Sequence, residues 1–205
     1  MKQRYIYIVF SSTRNILGKA IRAVTGEPYN HLSIALDENL DQMFGFARRF
    51  YNTPLYGGFI REYRSRYFVK GIPAQIQICK LPITNAQFLT LQDQLLRMYD
   101  QRDRYLYNHL SALSAVFHKN VKVDNAYTCV EFGVEVLNNL NIPVDPEKYY
   151  SVCELKDMLS DYIIYTGPMP KPSEYDQAYF AKQPLRFPTL TTIREMLKLL
   201  KRIRI

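Results

Sequence analysis

The chain reads as α+β: an antiparallel sheet packed against helices, followed by a C-terminal helical extension. Three observations predict this. Segments with apolar residues at every second position, Leu32, Ile34 and Leu36 above all, have the period of half-buried strands. Two helical segments mark their first residues with capping boxes, Thr84 with Gln87 and Thr128 with Glu131. Residues 189–205 carry Ile193, Met196, Leu197, Leu200 and Ile203 along one side of a helix.

Taken in order, Tyr5 to Phe10 is a short β-rich apolar run and reads as a buried strand. Ser11-Ser12-Thr13 offers cap residues for a helix over Arg14 to Val24, which Gly26-Glu27-Pro28 ends. His31 to Leu36 is a strand with His31, Ser33 and Ala35 on the side opposite Leu32, Ile34 and Leu36. That small-residue side is expected to admit a closely packed helix. Asp37 to Leu40 turns the chain, and Asp41 to Ala47 returns as an antiparallel partner. Arg48 to Gly58 reads as a loop, Ala74 to Leu81 as a half-buried strand, and Asn85 to Gln101 as a helix. Tyr105 to Phe117 is expected to be a further helix holding His109, with His118 after it. A short helix at Val152 to Leu159 and a strand at Tyr162 to Tyr165 complete the body. Five prolines from Pro168 to Pro188 then predict an irregular wrapping arm or linker. The expected organisation is a domain over 1–167, this segment over 168–188, and a basic amphipathic helix over 189–205.

The 205 residues suffice for one ordinary domain and its core, with 47% hydrophobic and 22% charged residues. The net charge is +8, but Arg194, Lys198, Lys201, Arg202 and Arg204 against Glu195 place about half of it in the last helix. The remaining charge is too small to argue nucleic-acid binding. Cys79, Cys129 and Cys153 form no CxxC pair and lie far from histidines at ligand spacing, which argues against a disulfide framework and against structural zinc. No cofactor or metal is expected. The leading apolar run is too short for a signal peptide, and no stretch approaches a membrane span, so a cytoplasmic location is expected.

The stretch around Cys129 carries the chemistry. With Thr128 as N-cap, Cys129 is the first helical residue, and Tyr127 and Phe132 occupy the two positions of a hydrophobic staple. A thiol in a first helical turn sits where free amides and the positive end of the helix dipole favour its anion. A histidine at the end of an early strand and a cysteine starting a late helix are two halves of a cysteine-nucleophile site.

The segments Tyr29-Asn30-His31-Leu32-Ser33-Ile34-Ala35-Leu36-Asp37 and Tyr127-Thr128-Cys129-Val130-Glu131-Phe132, with Thr25 and Gly57-Gly58-Phe59 between them, resemble the circularly permuted papain-like branch of the NlpC peptidase superfamily. That branch includes bacterial YiiX-like proteins and the lecithin:retinol acyltransferases, and in it the histidine strand precedes the cysteine helix. The resemblance covers residues 1–167. It implies a permuted papain-like domain in which Cys129 attacks a carbonyl, with His31 as general base and later acid. The Cys129 amide would be one oxyanion donor, and Tyr29 or Asn30 would supply another. The chain departs from the pattern at the third member: the strand after the histidine strand reads Met43-Phe44-Gly45-Phe46, with no polar side chain. Gln42 and Arg48 are the nearest polar residues on it, and Glu62 is the residue able to fold back.

Two functions follow from these residues. One is a cysteine hydrolase, a peptidase or amidase, or an acyltransferase, acting on an amide or ester in a peptide, protein or lipid. The other is a non-catalytic binding module that holds a partner through its groove or its basic C-terminal helix. That helix is expected to dock on its own domain, a second copy or a partner, because burying its apolar side chains stabilises by about 1.5–3 kcal/mol each.

Overall fold

A computed structural model describes residues 3–13, 27–184 and 186–203. The helix expected over Arg14 to Val24 lies outside them. Strands β1 (Arg4–Ser12), β2 (His31–Ala35), β3 (Met43–Arg48), β4 (Gly57–Glu62), β7 (Gln75–Ile83), β8 (Leu106–Tyr107), β9 (Ala126–Tyr127) and β10 (Ile163–Pro168) form one sheet in the order β10-β7-β1-β2-β3-β4-β8-β9. All neighbours are antiparallel except β8 and β9. Strands β5 (Phe68–Val69) and β6 (Ile72–Pro73) make a separate small hairpin.

Helices cover one face of this sheet. They are α1 (Asn85–Asp100), α3 (Cys129–Asn139) and α4 (Val152–Met158), whose Phe88, Leu91, Phe132, Val136 and Leu155 are buried with Ile8, Leu32, Ile34 and Phe46. All three helices begin on complete capping boxes, so donors that would be orphaned at their starts are satisfied within a few residues. Helix α3 approaches the sheet closely at Gly133, where a Cβ would lie 2.9 Å from a Leu32 methyl. The helix therefore packs on the Leu32 side of β2 and not on the His31, Ser33, Ala35 side. Closeness comes from the helix's own glycine, not from small residues on the strand.

The opposite face holds Tyr7, Val9, Ala35, Met43, Tyr67 and Ile76. It is covered in part by residues 168–184, which wrap the domain: Met169, Asp176 and Tyr179 are buried, the last in the short helix α5 (Gln177–Phe180).

Two segments depart from the sequence reading. The glycines at 57 and 58 open β4 instead of closing a loop, because β8 crosses there: a Cβ on Gly57 would lie 2.8 Å from that of Tyr107, and one on Gly58 would strike the Tyr105 carbonyl. For the same reason Leu106 and Tyr107 are strand, and the helix α2 is confined to His109–Ser114 behind an Asn108 cap. The tertiary pairing overrides the helical pattern of Tyr105 to Phe117.

The terminal helix α6 spans Arg186–Leu200 and docks on its own domain. Its buried side is Leu199, with Met196 and Ile203 packed beside it against Leu106, Val123 and Ala126, and Val123 bridges Ile203 as an extra pair of extended residues. Ile193, Leu197 and Leu200 are half-exposed, so the expected five-residue stripe is divided and only Met196 and Ile203 of it reach the domain. Leu199 displaces the contact line from the predicted one. Among the described residues, no helix is long and apolar enough to cross a membrane.

Candidate active site

The site begins at the start of β2. Strand β1 follows β2 as far as His31, but β3 pairs with β2 only at Ile34 and Ala35. His31 opens β2, and its imidazole reaches Glu62 on β4.

On one side of the ring is a buried polar cluster. His31 Nε2 lies 3.0 and 3.2 Å from the two Glu62 oxygens and 3.2 Å from Ser33 Oγ. Ser33 Oγ donates to Glu62 Oε1 at 2.7 Å, and the Tyr67 hydroxyl donates to Glu62 Oε2 at 2.9 Å. Glu62 is 3% exposed. Its reach across β3 is made possible by Gly45, where a Cβ would come within 2.8 Å of Glu62 Oε1. The absence of a polar side chain on β3 is thus the space in which a neighbouring strand's carboxylate sits.

Cys129, the first residue of α3, interacts with the same ring. The capping box is complete, with Thr128 N donating to Glu131 Oε2 at 2.7 Å and Glu131 N donating to Thr128 Oγ1 at 3.1 Å. The staple rings of Tyr127 and Phe132 are 6.4 Å apart. With Nε2 engaged by Glu62, Nδ1 is the ring nitrogen left for Cys129.

The electrostatics follow from these neighbours. Burial opposes a charge on the His31 ring, but the Glu62 carboxylate and hydrogen bonding to Cys129 and Glu62 outweigh it, raising its pKa from 6.5 to about 10. Burial likewise opposes a charge on Glu62, yet His31, Ser33 and the nearby Arg66 lower its pKa from 4.5 to about 2. The two form a buried imidazolium–carboxylate pair at neutral pH. Burial pushes the Cys79 thiol up to about 12 and raises that of Cys153 as well.

A cavity opens beside His31, lined among others by Arg48, Arg66, Tyr107, His109 and Tyr179. Cys129 is 5% exposed, and both His31 and Tyr107, whose ionisation its charge influences, face this cavity. The chain matches no protein-family model, no curated protein and no solved structure.

The remaining predicted residues separate. Asn30 lines the cavity, but its side-chain oxygen accepts from the Thr13 amide and hydroxyl, both at 2.9 Å, and its amide donates to the Thr13 carbonyl at 3.3 Å. Tyr29 does not join the site; its hydroxyl lies in the field of Lys156, Cys153 and Cys79, under α4. His118 stacks edge-on against Tyr149 and does not line the cavity. His109, expected only inside a helix, lines the cavity, and Ser33, Tyr67 and Tyr107 join the site without being singled out by sequence. Ser33 had a signal, since it shares a strand face with His31; Tyr67, on a short 3-10 turn after Glu62, had none.

Proposed function

We propose that the chain is a cysteine-nucleophile enzyme of the permuted papain-like type, a peptidase or amidase or an acyltransferase, acting on an amide or ester. The observation that carries this reading is the buried His31–Glu62 pair at 3.0 Å, whose imidazole also interacts with Cys129, a thiol at a capped helix start. Cysteine chemistry proceeds through the thiolate, the form that an adjacent imidazolium and a helix N-terminus favour. The sulfur attacks the carbonyl carbon and a tetrahedral oxyanion forms. The Cys129 amide, not yet committed within the helix, donates to that oxyanion, and the Tyr107 hydroxyl in the same cavity is a second donor. His31 then gives its proton to the leaving amine or alcohol, and afterwards takes one from the water or acceptor that releases the acyl group. Glu62 holds the ring in one orientation and stabilises its charge throughout.

The alternative, a binding module on the same scaffold, draws its support from the burial of Cys129, since a thiol 5% exposed offers little surface to a substrate. Alkylation separates the two. Iodoacetamide at neutral pH is expected to modify Cys129 faster than Cys79 and Cys153, and Cys129→Ser to abolish any hydrolysis while leaving the fold intact. Equal rates at all three cysteines would leave the binding module as the surviving reading.

A further inference from the structure

The charges around the cavity do not balance. Glu62 is matched by His31, and Arg66 is matched by Asp176, with Nε 2.6 Å from Oδ2 and both side chains nearly buried. His109 is withdrawn from charge by burial, and its Nε2 lies 3.1 Å from the Leu55 carbonyl. Arg48 remains. Its guanidinium donates to the Tyr51 carbonyl at 2.8 Å and to the Tyr179 hydroxyl at 2.7 Å, both neutral, and among the described residues it pairs with no carboxylate.

This arginine is also held in place. The rings of Tyr51 and Tyr179 flank it, each centroid 5.8 Å from its Cζ, and Tyr179 is fixed in turn by Arg66, whose Cζ lies 4.3 Å over the same ring. Asp176 Oδ1 accepts from the Tyr179 amide, and the Asp176 amide donates to Ser65 Oγ. The wrapping arm thus supplies the residue that aims Arg48. Two bonds leave further N–H donors of the planar fork for a ligand, and a fixed guanidinium is the group best suited to a carboxylate.

We propose that Arg48, oriented by Tyr179 of the arm, binds a carboxylate on the substrate whose carbonyl Cys129 attacks. This rests on the nucleophile reading above. It gives the proline-rich segment a purpose: it builds one wall of the substrate site.

The test uses the full chain and two alkylating agents of similar size, iodoacetate and iodoacetamide, with modification of Cys129 followed peptide by peptide at low ionic strength. The ratio of iodoacetate to iodoacetamide rates is expected to fall roughly threefold or more in Arg48→Met, as expected for removing one charge near the reagent's path. Arg48→Lys, which keeps the charge, should retain most of the ratio. In the unaltered protein, glutarate should slow iodoacetamide at Cys129 while neutral glutaramide does not, a result that needs no variant to fold. A ratio unchanged in Arg48→Met, or equal protection by glutarate and glutaramide, overturns the carboxylate site while leaving the nucleophile in place. Slow modification of Cys129 by both agents, no faster than Cys153, overturns the nucleophile reading and this inference with it.

Discussion

Two glutamates flank the candidate dyad, Glu62 buried and Glu131 partly so, and the protein treats them in opposite ways. Glu131 accepts only from neutral donors, Thr128, Ser111 and Asn108, and burial outweighs those bonds, so its pKa is raised. Glu62 is more deeply buried, yet its pKa is lowered, because one of its partners is a cation. Hydrogen bonds from neutral groups do not offset burial at Glu131, whereas the imidazolium offsets it at Glu62. Glu131 completes a helix start, whereas Glu62 sets the charge of the group that would do chemistry.

Removing partners should make this contrast large. In His31→Ala the Glu62 carboxyl loses its counter-charge inside the protein, and such a change costs about 3–5 kcal/mol where a buried pair is broken. Thr128→Ala, the matching loss of a Glu131 partner, removes one cap bond and should cost about 1 kcal/mol. Urea unfolding of the two variants at neutral pH compares them. Similar losses would mean that the His31–Glu62 pair is no more than another neutral hydrogen bond.

A smaller effect is expected at Gly45, where the contrast becomes steric. An added methyl meets Glu62 Oε1 at 2.8 Å, and Ser33 and Tyr67 leave the carboxylate little room to retreat. Gly45→Ala should cost about 1–3 kcal/mol, as overpacking does, and slow alkylation of Cys129 by weakening the hold on His31. An unchanged labelling rate would show that Glu62 does not orient the ring.

What sequence could reveal follows the same division. The Glu131 side of the site is local: Thr128, Cys129, Glu131 and the Tyr127–Phe132 staple lie within six positions, and each contact is fixed by helical geometry. The Glu62 side is assembled across three strands. The period-two pattern shows that His31 and Ser33 share a face, but whether Glu62 reaches them depends on the β3–β4 register, which pairs Glu62 with Met43 and leaves Gly45 vacant beneath its side chain. A glycine where a polar residue was expected looked like a deficit and is an accommodation. Similarly, the amphipathic pattern of Tyr105 to Phe117 and the stripe of the last helix were legible as patterns. Their outcome was decided by β8 crossing the glycines of β4 and by Leu199 meeting Leu106. The arm carried almost no periodic signal, because its contacts are single anchors, Met169, Asp176 and Tyr179, spaced by prolines.

The smallest effect is expected at Glu131 itself, and its sign is the sharpest test of the contrast. A carboxyl whose folded pKa lies above its unfolded value of 4.5 is held protonated more firmly by the folded state, so its contribution falls as pH rises from 4.5 through the raised value. Glu131→Gln keeps a side chain fit for a capping box but cannot ionise. The stability of this variant relative to the unaltered protein should therefore improve as pH rises through that window. Glu62 works the other way: its contribution is present above 4.5 and is lost as pH falls toward about 2. His31 adds stability below 6.5 that is lost as pH rises to about 10. Glu62→Gln should accordingly flatten the acid limb that Glu131→Gln leaves in place. Thermal midpoints measured from pH 3 to pH 9 distinguish the cases. If both variants shift the acid limb in the same direction, the two carboxylates are alike, and His31 is not the cation that separates them.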